Sequence, residues 1–191
     1  TGFWLNGRNV RLVGAARHQD RAGLGNALTA AEHEEDMQIL RDMGANTVRL
    51  AHYQHAQYFY DLCDKYGLVA WAEIPYITEH MPEATANTLS QMEELVLQNY
   101  NHPSIICWGL SNEITVTTGV TEDLTANHRL LNDLCHRLDA TRPTTMAHAF
   151  MLDPNDPFVQ LPDICSYNLY YGWYLGELQQ NDEFFDTFHK N

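Results

Sequence analysis

Ile105-Ile106-Cys107-Trp108-Gly109-Leu110 runs directly into Ser111-Asn112-Glu113. The first six residues are apolar on both faces, the pattern of a strand buried on both sides in a helix-covered parallel sheet. The polar triplet begins where that strand should end. Asn101-His102-Pro103 in front of it is a turn, and Leu124, Leu131, Leu134 and Leu138 behind it mark a long amphipathic helix.

The same strand-then-helix unit recurs outward in both directions. Val10 to Ala15 reads as a first strand. Thr29-Ala30-Ala31-Glu32 is then a capping box, with Met37, Leu40 and Met43 following at helical spacing and Gly44 placed to end the helix. Thr47 to Ala51 is a second strand, and Phe59, Leu62 and Cys63 share one face of the next helix, closed by Gly67. Leu68 to Ile74 is a third strand stopped by Pro75, and Leu89 to Tyr100 a helix with Met92, Leu95 and Val96 inward. Thr144 to His148 is a weaker fifth strand, Ile164 to Tyr167 a sixth, and Glu183 to His189 opens another helix. This alternation calls for an α/β fold with a parallel sheet. Polar and aromatic residues gather past many strand ends: Arg17-His18, His52-Tyr53, Glu73, Asn112-Glu113, and Asn168 to Trp173. A site built from many strand ends belongs to a TIM barrel, whereas a doubly wound sheet concentrates its site at one switch point. Neither GxGxxG nor GxxxxGK[ST] occurs, which removes the common nucleotide readings. About six of the eight βα units of a (β/α)8 barrel are present.

The chain has 191 residues, enough for one domain with a real core. No stretch approaches the roughly 18 apolar residues of a membrane span, so no membrane partner is expected. The N-terminus does not read as a signal peptide, and the first residue is Thr rather than Met, which fits a piece of a longer chain and leaves the cellular location open, with a slight lean to the cytoplasm. Formal charge is −14, with 25 acidic against 11 basic residues, so nucleic acid is not an expected partner. Cys63, Cys107, Cys135 and Cys165 lie far apart in apolar segments and read as buried free thiols.

A carboxyl group at a strand end faces a cleft that water only partly fills, and desolvation there favours the protonated form. That suits Glu113 as a general acid, with the Asn112 amide beside it for a substrate hydroxyl. The competing reading is that Asn112-Glu113 caps the next helix.

Asn101 to Glu113 resembles the acid/base segment of glycoside hydrolase family 2, which includes β-galactosidases, β-glucuronidases and β-mannosidases. Further blocks resemble the same family in order: Phe3-Trp4-Leu5-Asn6-Gly7, Arg17-His18-Gln19-Asp20, Asn46 to Tyr53, Asp61 to Leu68 with Ala72-Glu73-Ile74-Pro75, and Asn168 to Tyr174. The resemblance implies a retaining double displacement with Glu113 as acid, then base, and a second carboxylate roughly 5 Å away as nucleophile. In the family that nucleophile follows the seventh strand. Residues 1–191 therefore read as a partial barrel domain, with β-sandwich domains expected upstream, the last βα units and the nucleophile expected downstream, and no hydrolysis expected from the segment alone.

The resemblance also implies that Asn112 bonds the sugar 2-hydroxyl, that Tyr170 orients the nucleophile, and that His18 and His52 line the sugar pocket. Arg49 either pairs with the nucleophile or forms an interior ion pair with Glu73. Trp173 either stacks on a sugar ring or packs at the rim. Some β-galactosidases of the family hold magnesium through Glu-x-His after the third strand, but Tyr76-Ile77-Thr78-Glu79-His80-Met81 lacks that spacing, so neither metal nor cofactor is expected. A β-linked oligosaccharide or glycoside is the expected substrate. Arg17-His18-Gln19-Asp20 and His52-Tyr53-Gln54-His55 lean towards galactosides; the Asn168 to Tyr174 motif is equally at home in β-glucuronidases. A non-catalytic sugar-binding fragment is the alternative from another class. Open barrel edges would favour self-association.

Overall fold

The computed structural model describes residues 2–189. A short hairpin of β1 (Trp4–Leu5) and β2 (Arg8–Asn9) precedes the main sheet. Its turn was not anticipated, although the signal is present. Asn6 and Gly7 both take positive φ (51° and 77°), as a two-residue primed turn requires, and Asn-Gly is the pair that adopts it most readily.

The main sheet has six parallel strands: β3 (Gly14–Arg17), β4 (Thr47–Leu50), β5 (Val69–Glu73), β6 (Ile105–Asn112), β7 (Thr144–Ala149) and β8 (Ile164–Asn168). Their spatial order is their chain order, with no reversal. A doubly wound sheet needs a reversal; a barrel does not. The sheet is therefore an incomplete barrel wall, as the sequence implies, with helices outside it. These are α1 (Ala30–Asp42), α2 (Gln57–Tyr66), α3 (Thr85–Asn99), α4 (Glu122–Leu138) and α5 (Gln180–Phe188).

The capping box at Thr29 and Glu32 forms, with Glu32 Oε2 accepting the Thr29 N–H at 2.7 Å. Gly67 ends α2 in the left-handed region at φ 71°. Two inward-facing expectations need correction. Met43 is the C-cap of α1 and is 60% exposed rather than inward. Cys165 is only half-buried, since β8 stands at the sheet edge, whereas the other three thiols are buried. The first strand also starts later than its apolar run suggests: Val13 is 53% exposed and pairing begins at Gly14.

Between β7 and β8 there is a loop where a barrel normally places a helix. Asp153 and Asp156 accept the backbone N–H groups of Asn155 and Phe158, closing turns that compete with helix formation. The loop fills the missing helix's space with Phe158 and Val159, 1% and 0% exposed.

Strand residues alternate between two environments. Val48, Leu50, Ala70, Ala72, Trp108 and Leu110 face the helices and join the core with Met37, Phe59, Leu62, Met92, Leu95 and Leu131. The opposite face carries Arg49, Trp71 and Asn168 around a hollow of about 380 Å³. The C-terminal strand ends meet above that face.

Candidate active site

Arg49, one residue from the end of its strand's register with β5, projects from β4 into the strand-end cluster. Its Nε donates to Glu73 Oε2 at 2.9 Å, and its Nη2 to Glu73 Oε1 at 3.1 Å. The same guanidinium donates to Asn112 Oδ1 at 2.8 Å and to Asn168 Oδ1 at 3.2 Å. One cation thus ties β4 to the ends of β5, β6 and β8. Glu73 is 1% exposed, and a buried carboxylate without such a partner would be very costly. Of the two readings of Arg49, the ion pair with Glu73 is the one that forms among the described residues.

Gly109 makes this closeness possible. A Cβ at that position would lie 2.4 Å from both Glu73 Cβ and Trp71 Nε1. The indole of Trp71 lies under the Arg49 guanidinium, 4.6 Å from its centroid.

His52 follows β4, and its Nδ1 lies 2.5 Å from Glu73 Oε1, at hydrogen-bond distance. Among the described residues, no hydrogen bond engages His52 Nε2. His18 is exposed and meets His52 edge-on, with centroids 5.2 Å apart.

Asn112 Oδ1 accepts twice, from Arg49 Nη2 and from Asn168 Nδ2 at 2.9 Å. Its amide is thus oriented, with the NH2 end left as a donor. Asn168, named among the strand-end groups but given no role by the sequence, is the second clamp on this amide. It ends β8 directly ahead of the Leu169-Tyr170-Tyr171 run, and a polar residue closing a strand was the available signal.

Glu113 follows β6 with φ 45°, an uncommon conformation for a side-chain-bearing residue, and its N–H bonds Ala147 O at 2.8 Å. The residue is half-buried and does not cap α4; Thr121 does that, accepting the Leu124 N–H. The Tyr170 hydroxyl lies beside the Glu113 side chain. Burial, reinforced by the neighbouring Glu113 side chain, raises the Tyr170 pKa.

Tyr170 also packs edge-on against Tyr174, 5.3 Å between centroids, and Tyr174 against Trp173 at 5.9 Å. Trp173 is 79% exposed, so one face of its indole is open. Arg49, His52 and Asn112 are therefore tied together by hydrogen bonds through Glu73 and Asn168, with Glu113 next to Asn112 in the chain, Tyr170 beside it, His18 against His52 and Trp173 against Tyr174.

The glycosyl hydrolases family 2 TIM barrel domain matches residues 1–191. The chain belongs to this family. Within glycosyl hydrolase family 2 it is 42% identical to a β-glucuronidase of Bacteroides fragilis, over 99% of this chain and 28% of that protein. It is 35% identical to a β-galactosidase of Thermoanaerobacterium thermosulfurigenes, over 75% of this chain and 19% of that protein. Among solved structures, an FMN-binding β-glucuronidase from Faecalibacterium prausnitzii L2-6 superposes with a TM-score of 0.96 at 47% identity, covering 99% of this chain and 30% of that one. The family 2 chain thus spans less than a third of the length of these relatives.

Proposed function

We propose that this segment supplies the acid/base side of a retaining β-glycosidase active site, and that the sugar is a β-glucuronide. The observation that carries the reaction type is the placement of Glu113. It is a half-buried carboxyl beside Tyr170, next to an oriented Asn112 amide at the end of a parallel strand. Glu113 protonates the glycosidic oxygen as the bond breaks and then removes a proton from the water that releases the sugar. The Asn112 NH2 donates to the 2-hydroxyl, a bond that tightens as the oxocarbenium-like transition state forms.

The second carboxylate is proposed to come from chain beyond these six strands. Glu73 shares the network, but both its oxygens are engaged by Arg49 and His52. It acts as a strut.

The lean towards glucuronides rests on relatives. Beyond the Bacteroides fragilis protein, a putative β-glucuronidase of Formosa agariphila is 36% identical over 98% of the chain. Galactosides are the second reading, supported by the β-galactosidase relative. Arg17 and Arg49 are both committed to carboxylates of the fold, so recognition of a sugar carboxylate falls to groups outside the network described above.

The test compares 4-nitrophenyl β-glucuronide with the matching galactoside, using the full-length protein that carries this segment. Glucuronide turnover is expected, and Glu113→Gln should lower it by about 100-fold or more. Preference for the galactoside would reassign the sugar, and turnover unchanged in the Gln variant would remove Glu113 from the mechanism.

A further inference from the structure

Ser111 sits beside the catalytic pair but faces away from it. Along β6, Trp108 pairs with Thr144 and Gly109 with Thr145, and the next pairing is Asn112 with Ala147. Leu110 and Ser111 therefore stand together against Met146, two residues against one, which is a β-bulge. Leu110 packs into the core beside the helices. Ser111 turns the same way, and its hydroxyl lies 2.8 Å from His128 Nε2 on α4. Two successive residues thus point outward, and the alternation resumes with Asn112 inward. A shift of a single residue in such a strand exchanges its faces, so the bulge decides that Asn112 meets Arg49 and that Glu113 comes next.

The proton in this contact can be assigned. His128 Nδ1 lies 2.9 Å from Leu124 O, a carbonyl that can only accept, so Nδ1 carries the hydrogen. His128 is fully buried, and burial pushes its pKa down to about 3, so the ring is neutral and Nε2 accepts. Ser111 Oγ–H is the donor. The ring is in turn fixed by Tyr76, stacked on it at 5.2 Å between centroids. Tyr76 is held by Asn127, whose Nδ2 donates to the phenol oxygen at 3.1 Å. The Tyr76 backbone belongs to the same strand end, since its carbonyl accepts the Asn112 N–H at 2.9 Å, and Thr78 N–H donates back to Asn112 O at 3.1 Å.

We propose that Ser111 and His128 are positioning residues. Their hydrogen bond pins the β6 bulge and so sets the direction in which Asn112 and Glu113 enter the cleft. Neither touches substrate, and the inference rests on the acid/base reading of Glu113.

The leaving group supplies a readout that a purely structural role would not move. A misplaced acid slows substrates whose leaving group needs a proton, such as phenyl glycosides. It affects 2,4-dinitrophenyl glycosides much less, because that phenolate departs unaided. In the full-length protein, Ser111→Ala should lower kcat/KM for the phenyl β-glucuronide by about tenfold or more, and for the dinitrophenyl substrate by less than about threefold. Ser111→Ala also leaves Nε2 buried without a donor, so the unfolding midpoint should fall. The double variant Ser111→Ala/His128→Phe removes both polar groups and should recover the midpoint without recovering the phenyl substrate. Equal losses on both substrates, or recovery of midpoint and phenyl hydrolysis together, would overturn the proposal. Should the unaltered protein hydrolyse neither glucuronides nor galactosides, the acid/base reading fails by itself. Amide hydrogen exchange then decides the pinning: Ser111→Ala should speed exchange at Asn112 and Glu113 by about tenfold, and unchanged protection would sink it.

Discussion

Arg49 holds four acceptor contacts with one guanidinium, and two of its partners are the Glu73 oxygens. A lysine at this position offers a point charge in place of a planar fork. It could satisfy Glu73 or the Asn112 oxygen, but not the bidentate pair and both amides together. Arg49→Lys should therefore cost about 1–3 kcal/mol in denaturant unfolding, and it should lower kcat/KM because the Asn112 amide loses one of its two anchors. A variant as stable and active as the parent would show that the network does not orient that amide. His52, Asn112, Glu113 and Tyr170 were legible in the sequence as strand-end groups, whereas Arg49 was named through the family resemblance. The partner of Arg49 was left between two options, because an ion pair between β4 and β5 depends on how far each side chain reaches across a sheet. Asn168 stands among the strand-end groups without a role of its own for a related reason. Its importance comes from an amide on a strand remote in sequence.

Each strand and helix carries local signals of unequal strength. The Thr29 capping box and the Gly67 stop depend on neighbouring residues alone, and both were readable. The bulge in β6 was not, because it exists only relative to β7. Nor was the reason for Gly109, which looked like one more small residue in an apolar strand. Its missing side chain is what lets β6 lie against Glu73 and Trp71. Gly109→Ala should destabilise the fold by about 1–3 kcal/mol through overpacking, and because Glu73 would be pushed aside, it should disturb the Arg49 network as well. A midpoint equal to that of the parent would mean the strands can separate without cost.

Three buried histidines, in the β4–α2 loop, on α4 and on β7, give the molecule a common acid sensitivity. His55 and His128 are held down to about 3 and His148 to about 4, in each case chiefly by burial, from the ordinary value of 6.5. In the unfolded chain these rings take up protons as pH falls through 6.5, while the folded protein keeps them neutral until pH 3 to 4. Their contribution is therefore complete above pH 6.5 and is lost as pH falls from there towards 4. The steepest slope is about 1.4 kcal/mol per pH unit for each ring. Unfolding free energies at pH 7.5, 6 and 5 should decline in that order, and a flat profile across this range would contradict the burial of these groups in the folded protein.

The sequence by itself determined the fold class, the chain order of the elements and the chemistry available at the strand ends. Those depend on apolar periodicity, on caps and on residue identity, all of which act over a few neighbouring positions. Only the tertiary structure decided which strand-end groups meet, that Asn112 turns inward after a bulge, and that Ser111 reaches His128 on the far side of the wall. Those outcomes depend on register and on distances between segments far apart in the chain. A shift of one residue in a strand reverses every side chain beyond it while leaving the local pattern almost unchanged.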